Sequence, residues 1–113
     1  METAPLLVLS PSLMRMTTTS DPDWGHVYLL SHPAHHPWLK VGRTVNLKQR
    51  LGTYQTADPN RSYAFIRTAF VPDYRAKEQN LIERLKALGW PVDHEWIKAP
   101  VAEVLKEFER IIN

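Results

Sequence analysis

The chain has 113 residues, which is enough for one small domain with a single modest core. Hydrophobic residues make up 43%, charged residues 23%, and the formal net charge is +2, a balance that is ordinary for a globular protein and compatible with a nucleic-acid partner. The absence of cysteine excludes disulfides and thiolate metal sites, and no run approaches the roughly 18 apolar residues of a membrane span, so we expect a cytoplasmic protein without membrane contact.

The chain divides into a tail and one domain. Residues 1–23 combine several prolines with an apolar run, Leu6–Leu9, and lack the basic start of a signal peptide. We expect these residues to form a loosely ordered N-terminal tail. Residues 24–113 carry strand and helix patterns and form the predicted domain.

The first half of the domain predicts two strands and a helix. Val27–Leu30 and Trp38–Val41 are short apolar runs and are predicted as two strands that pair antiparallel. The residues between them are predicted as a loop, because prolines interrupt strand pairing. The connecting loop, S-H-P-A-H-H-P, holds three histidines whose spacing is not that of a zinc site, and we expect it to be solvated. Asn46 is a good N-cap for a helix over about residues 47–55.

The second half predicts a third strand and two more helices. Strict alternation along Tyr63–Val71 places Phe65 and Ala69 on one face and Ile66 and Phe70 on the other. Asp73 is predicted to cap a second helix whose apolar stripe is Leu81, Ile82, Leu85 and Leu88, and Pro100 begins a third helix. The expected fold class is α+β, with a small three-stranded antiparallel sheet flanked by helices.

Four motifs in this order resemble the GIY-YIG nuclease superfamily. His26-Val27-Tyr28 stands in place of Gly-Ile-Tyr, and Lys40-Val41-Gly42 stands in place of Tyr-Ile-Gly. Arg50 in the following helix matches the invariant arginine, and Glu78-Gln79-Asn80-Leu81-Ile82 is similar to the glutamate helix of the N-terminal nuclease domain of the excision-repair endonuclease. The lysine in the second motif and the ending His94-Glu95-Trp96-Ile97 look more like the small phage-type branch. The resemblance covers roughly residues 25–98.

The resemblance implies a DNA endonuclease that hydrolyses phosphodiester bonds with one divalent metal ion, Mg²⁺ or Mn²⁺, on one glutamate. Glu78 is the candidate metal ligand, and a largely hydrated Mg²⁺ suits a site with so few protein ligands. Both ions favour oxygen ligands, so the sequence does not choose between them. Without the resemblance, Glu78 is interpreted as a solvated helix glutamate paired with Lys77 or Arg75.

Three further residues receive catalytic roles from the resemblance. Arg50 is expected to hold two oxygens of the phosphate in the transition state, a task that suits a guanidinium fork. Tyr28 is expected to orient the attacking water or to touch the phosphate. Tyr54 lies one helical turn after Arg50 and can share its face. The plainer interpretations are a surface arginine and two packing tyrosines.

The general base is the least determined part of the expected site. A tyrosine usually stands at the position of Lys40, and a lysine accepts a proton only when burial or nearby positive charge lowers its pKa. A protonated Lys40 would instead steady the phosphate, which leaves Tyr28 or a metal-bound hydroxide as the base. His26 is a second candidate base, or else an exposed strand histidine.

The expected DNA contacts and the alternative function complete the sequence-based hypothesis. Arg43, Lys48 and Asn80 are expected to contact nucleic acid. The two motifs that give the superfamily its name are both altered, at His26 and Lys40. The alternative is therefore a catalytically silent nucleic-acid-binding or protein-interaction module on the same fold. A lone domain of this size binds DNA weakly, so we expect either a homodimer, through Leu6–Leu9 and the third helix, or action on unusual DNA structures.

Overall fold

The computed structural model describes residues 23–112. The predicted tail, apart from its last residue, and the run Leu6–Leu9 lie outside the described residues. The described part has five strands: β1 (Gly25–Ser31), β2 (Trp38–Thr44), β3 (Ala64–Val71), β4 (Val92–Asp93) and β5 (Trp96–Lys98). It has three α-helices: α1 (Leu47–Thr56), α2 (Tyr74–Ala87) and α3 (Val101–Ile111). None of the helices within residues 23–112 is long and apolar enough to cross a membrane.

One antiparallel sheet holds all five strands, in the order β3-β1-β2-β5-β4. The α+β class is confirmed, but the prediction of three strands was wrong. The two extra strands have two and three residues, too few for an alternating pattern to stand out. They form a hairpin whose turn includes His94 at a φ of 58°, and β5 attaches this hairpin to β2.

A bulge changes which side chains of β3 face the core. Leu29 of β1 pairs with Arg67, whereas the next residue, Leu30, pairs with Phe65, so Ile66 is the extra residue. Ile66 therefore packs on the core beside Ala69. The prediction that strict alternation separates Ile66 from Ala69 was wrong, because it does not allow for the inserted residue.

The helix starts follow the predicted caps only in part. The Asn46 side chain accepts a hydrogen bond from the backbone N–H of Gln49 at 3.0 Å, which confirms Asn46 as the N-cap of α1. Asp73 precedes α2 as predicted, but its φ of 53° leaves its side chain without a capping hydrogen bond. Leu88 was predicted to be part of the apolar stripe of α2, yet it ends the helix and is exposed.

The core lies between one face of the sheet and the helices α2 and α3. Its most buried members include Val27, Leu29, Val41, Leu81, Leu85, Val104 and Phe108. The apolar face of α3 is thus covered within the chain. Val101 at the start of the same helix is exposed, and the predicted contribution of the third helix to a dimer interface stays a prediction.

The loop between β1 and β2 is exposed to solvent over residues 33–37, as predicted, and hydrogen bonds hold His32 at its start. Nε2 of His32 lies 2.8 Å from Oδ2 of Asp58, and its other ring nitrogen accepts the backbone N–H of Ala34 at 3.0 Å. Among residues 23–112, no group of three or more His, Cys, Asp or Glu side chains is placed to hold a metal ion.

Tyr28 lies on the second face of the sheet, and the position of its ring depends on Gly42. The two residues are direct cross-strand partners, and the Tyr28 ring lies over the glycine. A Cβ atom at Gly42 would lie 2.3 Å from both Cζ and Oη of Tyr28. The glycine is therefore required for this position of the ring.

We expect Gly42→Ala to lower the free energy of unfolding by about 1–3 kcal/mol, because the added methyl group displaces the Tyr28 ring. Gly52→Ala is the matched control: nothing lies within 4 Å of a Cβ at Gly52 in α1, so alanine should stabilise the helix by about 0.5–1 kcal/mol. Urea unfolding measures both. A Gly42→Ala midpoint equal to that of the native chain would show that Tyr28 does not pack on Gly42.

Candidate active site

A polar cavity of about 210 Å³ opens at the edge of β2, beyond the end of β5. The last bond between this edge and the hairpin runs from Val41 N–H to the carbonyl of Glu95, at 2.9 Å. Past that bond the edge of β2 is open, so side chains from both faces of the sheet reach the cavity. The cavity is lined by Tyr28, Lys40, Gly42, Arg43, Arg50, Tyr54, Glu78 and Glu95.

Two tyrosines form one wall of the cavity. Their hydroxyl oxygens, on Tyr28 and Tyr54, lie 3.0 Å apart, within hydrogen-bonding distance. Burial raises the pKa of Tyr28 well above its ordinary value of 10.0, and the hydrogen bond to Tyr54 raises it further, whereas the charge of Arg50 lowers it. Tyr28 is therefore a neutral phenol at physiological pH.

Lys40 is held by a carboxylate that the sequence analysis did not identify. Its Nζ donates to Oε1 of Glu95 at 2.9 Å and lies 5.6 Å from the ring centre of Trp96. Glu95 was present in the family-like ending H-E-W-I, but no role was assigned to it. The sequence pattern indicates only a short extended piece at about His94–Lys98, whereas the contact of Glu95 with Lys40 depends on the whole β4–β5 hairpin.

Glu78 is buried, not solvated. It is 1% exposed, and its Oε1 accepts a hydrogen bond from Nη1 of Arg43 at 2.8 Å. Its other oxygen, Oε2, is buried with no hydrogen-bond partner among the described residues. The interpretation as a surface glutamate paired with Lys77 or Arg75 is wrong, because Arg75 instead pairs with Asp23.

The electrostatic balance at Glu78 favours its neutral form relative to water. Burial raises the pKa of this carboxyl above its ordinary value, and the negative charge of Glu95 adds to the effect. Arg43 and Lys40 lower the pKa but do not cancel the cost of desolvation. A buried carboxyl with a raised pKa in a cavity is a typical feature of a functional site.

The donor set fits a metal ion that takes few protein ligands. Glu78 lines the polar cavity, and its buried Oε2 has no hydrogen-bond partner among the described residues; hard oxygen ligands of this kind suit Mg²⁺ and Mn²⁺. Within residues 23–112, Glu95 is the only other carboxylate that lines the cavity, and its Oε1 accepts a hydrogen bond from Lys40. A zinc-like site built from several His or Asp ligands is not offered by residues 23–112.

Arg50 lies on α1, and its guanidinium has no partner among the described side chains. It lines the cavity and is exposed, and it forms no hydrogen bond or ion pair with the side chains that the structure describes. A guanidinium in this state can offer its full fork to an oxyanion.

The remaining predicted site residues lie outside the cavity, with one exception. His26 is on the same face of β1 as Tyr28, but its ring packs against Phe70 at 4.9 Å between centroids. Lys48 and Asn80 are exposed on α1 and α2. Arg43 is the exception, because it lines the cavity and pairs with Glu78.

The raised pKa of Glu78 gives a stability test that does not depend on activity. The folded state holds this proton more tightly than the unfolded state does, so the stabilisation is complete below the ordinary pKa and is lost as pH rises through the raised pKa. Glu78→Gln cannot titrate. In the presence of chelator, we therefore expect the stability of this variant relative to the native chain to improve between about pH 4 and about pH 8.

Urea unfolding at both pH values measures this difference. Glu83→Gln is the control, since Glu83 is exposed on the same helix and pairs with Lys86. A Glu78→Gln variant whose relative stability falls as pH rises would contradict the assigned direction.

Comparison with known proteins gives a family for this fold. The T5orf172 domain family matches residues 25–112, a span that includes all five strands, all three helices and every residue lining the cavity. Searches of curated proteins and of solved structures returned no match. Because the match covers well over half of the chain, the chain belongs to the T5orf172 domain family.

Proposed function

We propose that this chain is a metal-dependent endonuclease of the GIY-YIG type that hydrolyses phosphodiester bonds in DNA. The observation that carries the proposal is the carboxylate of Glu78, buried with an unpaired oxygen at a cavity that also holds Lys40, Arg43 and Arg50. An unpaired buried oxygen destabilises a fold. Its presence beside three cations supports a site for a metal ion and a phosphate.

Arg43 pairs with the Glu78 carboxylate, whereas Arg50 and Lys40 are assigned to the phosphate. Arg43 bonds to Oε1 of Glu78 and leaves Oε2 to ligate a metal ion. Arg50 has no partner among the described side chains, so its fork is available for two phosphate oxygens. Lys40 is already a donor to Glu95, and its charge adds to that of Arg50 where the phosphate would lie.

Glu78 would hold the metal ion through Oε2. When bound, such an ion supplies Lewis-acid stabilisation of the phosphate charge and lowers the pKa of water. Mg²⁺ and Mn²⁺ both suit this carboxylate.

Three other residues that line the cavity, Tyr28, Lys40 and Glu95, orient the water or the phosphate and accept the proton. Tyr28 is a neutral phenol, so it orients the water or the phosphate through its hydroxyl and does not act as a base. Lys40 is engaged as an ammonium donor, which supports the phosphate-steadying role over the basic one. Glu95 is 44% exposed and has a second oxygen beyond the one that Lys40 bonds, so we assign it as the proton acceptor.

The proposed reaction is an in-line displacement at phosphorus. The water oxygen forms a new P–O bond as its proton passes to Glu95, and the bond from phosphorus to the leaving oxygen breaks. The leaving oxygen takes up a proton from solvent, so the products are a phosphate monoester and a free hydroxyl. Arg50 and Lys40 stabilise the charge that develops on the phosphate oxygens.

Two observations favour a catalytically silent nucleic-acid-binding module as the second candidate. Arg43 already neutralises Glu78 at 2.8 Å, and an ion pair of this kind is also found in purely structural sites. His26, a candidate base in the hypothesis, packs on Phe70 outside the cavity. The two functions differ in whether the phosphodiester is cut.

A plasmid-nicking assay with Mg²⁺ or Mn²⁺ tests the nuclease. We expect nicking that chelator abolishes and that Glu78→Gln and Arg50→Ala each reduce by at least about 100-fold, the typical cost of removing one transition-state contact. Glu83→Gln, on the exposed side of α2, should nick like the native chain.

The pattern across these variants separates the candidates. Nicking that survives both substitutions would reject the site. Absence of nicking by the native chain, with DNA still shifted on a gel, would favour the binding module over the nuclease.

Proton competition at Glu78 predicts a pH limit for metal binding. Because burial raises the pKa of this carboxyl, Mn²⁺ binding measured by calorimetry should weaken on acidification at a higher pH than for an ordinary glutamate. Arg43 lowers that pKa, so Arg43→Met should move the limit to still higher pH. Glu78→Gln should abolish the heat of binding, and an unchanged Mn²⁺ affinity in that variant would rule out Glu78 as the ligand.

A further inference from the structure

A second and larger hollow, here called the aromatic groove, lies beside the polar cavity. It has a volume of about 490 Å³ and lies between the β1–β2 loop and the β4–β5 hairpin. The residues that line it are Ala34, His35, His36, Trp38, Asp93 and Trp96. None of them has a role in the proposed reaction.

The aromatic groove and the polar cavity share a boundary at Lys40. Lys40 pairs across the sheet with Trp96, and Trp38 precedes Lys40 by two residues on β2, so all three lie on one face of the sheet. The ammonium of Lys40 lies 5.6 Å from the ring centre of Trp96 and also lines the polar cavity. A phosphate beside Lys40 would therefore lie next to the mouth of the groove.

The chemistry of the groove suits a flat, aromatic, uncharged ligand. Trp38 and Trp96 are half-buried, and the ring of His35 stands at 70° to that of Trp96 with centroids 5.4 Å apart. Asp93 is exposed at the groove, and its Oδ1 lies 2.8 Å from Nδ1 of His94. Its carboxylate repels phosphate, and its Oδ2 can accept a hydrogen bond from an amino group. Aromatic surfaces of this kind bind nucleobases by stacking, with each base contributing about 1–3 kcal/mol.

We propose that the aromatic groove binds an unpaired nucleobase adjacent to the phosphate that is cut. This inference rests on the proposed nuclease function and names its substrate class, which is DNA that is single-stranded or locally unpaired at the cleavage site. A base inside a duplex is stacked and paired and does not reach a lateral groove unless it leaves the stack.

Fluorescence polarisation of the full chain in chelator tests the groove without cutting. The probes are a fluorescein-labelled single-stranded oligonucleotide and its duplex. We expect tighter binding of the single strand, and we expect Trp96→Ala to lower the affinity for it by about five- to 150-fold, which corresponds to removal of one stacked base. Trp96→Phe should retain most of the affinity. His35→Ala, an exposed position, should weaken the same binding and guards against misfolding of Trp96→Ala.

Trp24→Ala is the matched control. Trp24 is 49% exposed and stacks on Phe70, away from the groove. An equal loss of affinity for Trp24→Ala, or equal binding of single strand and duplex by the native chain, would overturn the proposal.

Hydrolysis of bis(p-nitrophenyl) phosphate, measured in parallel, separates this proposal from the nuclease itself. Metal-dependent hydrolysis, together with a single-strand affinity that Trp96→Ala and His35→Ala leave unchanged, would reject the groove as a base-binding site and support the proposed nuclease. Single-strand binding that depends on Trp96, with no hydrolysis of bis(p-nitrophenyl) phosphate or of plasmid DNA, would support the groove as a base-binding site and reject the nuclease.

Discussion

The close approach of Tyr28 to Gly42 determines how the rest of the site is arranged. With no Cβ at Gly42, the tyrosine ring lies over β2 and carries its hydroxyl to within 3.0 Å of Tyr54 on α1. The helix α1 has no fully buried residue, so contacts such as this one position it on the sheet. The same helix presents Arg50 to the polar cavity, and the glycine therefore contributes to the placement of a side chain eight positions later.

A second constraint is the burial of Glu78. Two nearby cations, Arg43 and Lys40, favour its charged form, but desolvation outweighs them and leaves the pKa raised. Such a group destabilises the folded state at neutral pH, and a ligand that binds the ionised form recovers the difference. This is the physical link between the stability of the fold and the proposed binding of a metal ion. Arg43 also has a partner inside the cavity, Glu78, and its predicted contact with DNA stays a prediction.

The departure from the motif at Lys40 has a structural partner. Glu95, on the turn of the β4–β5 hairpin, bonds to the lysine from across the sheet edge, so this position and the hairpin work together. The same hairpin supplies Trp96 and Asp93 to the aromatic groove. A short, irregular element thus connects the polar cavity with the aromatic groove, and this connection supports the proposed substrate with an accessible single strand.

Features that arise from neighbouring residues were predictable from the sequence alone. The order of helices and long strands and the Asn46 cap were predicted, because turn chemistry and periodicity act over a few positions. The resemblance to GIY-YIG motifs pointed to Tyr28, Arg50, Tyr54 and Glu78, and all four line one cavity. The tertiary structure decided the rest. The bulge in β3 depends on its pairing with β1, and the hairpin is too short for a periodic signal. The bonds of Glu78 to Arg43 and of Lys40 to Glu95 join residues 35 and 55 positions apart. Contacts over such separations, and the burial that raises the pKa of Glu78, exist only after the sheet and α2 have packed, since no local pattern encodes which distant side chains will meet.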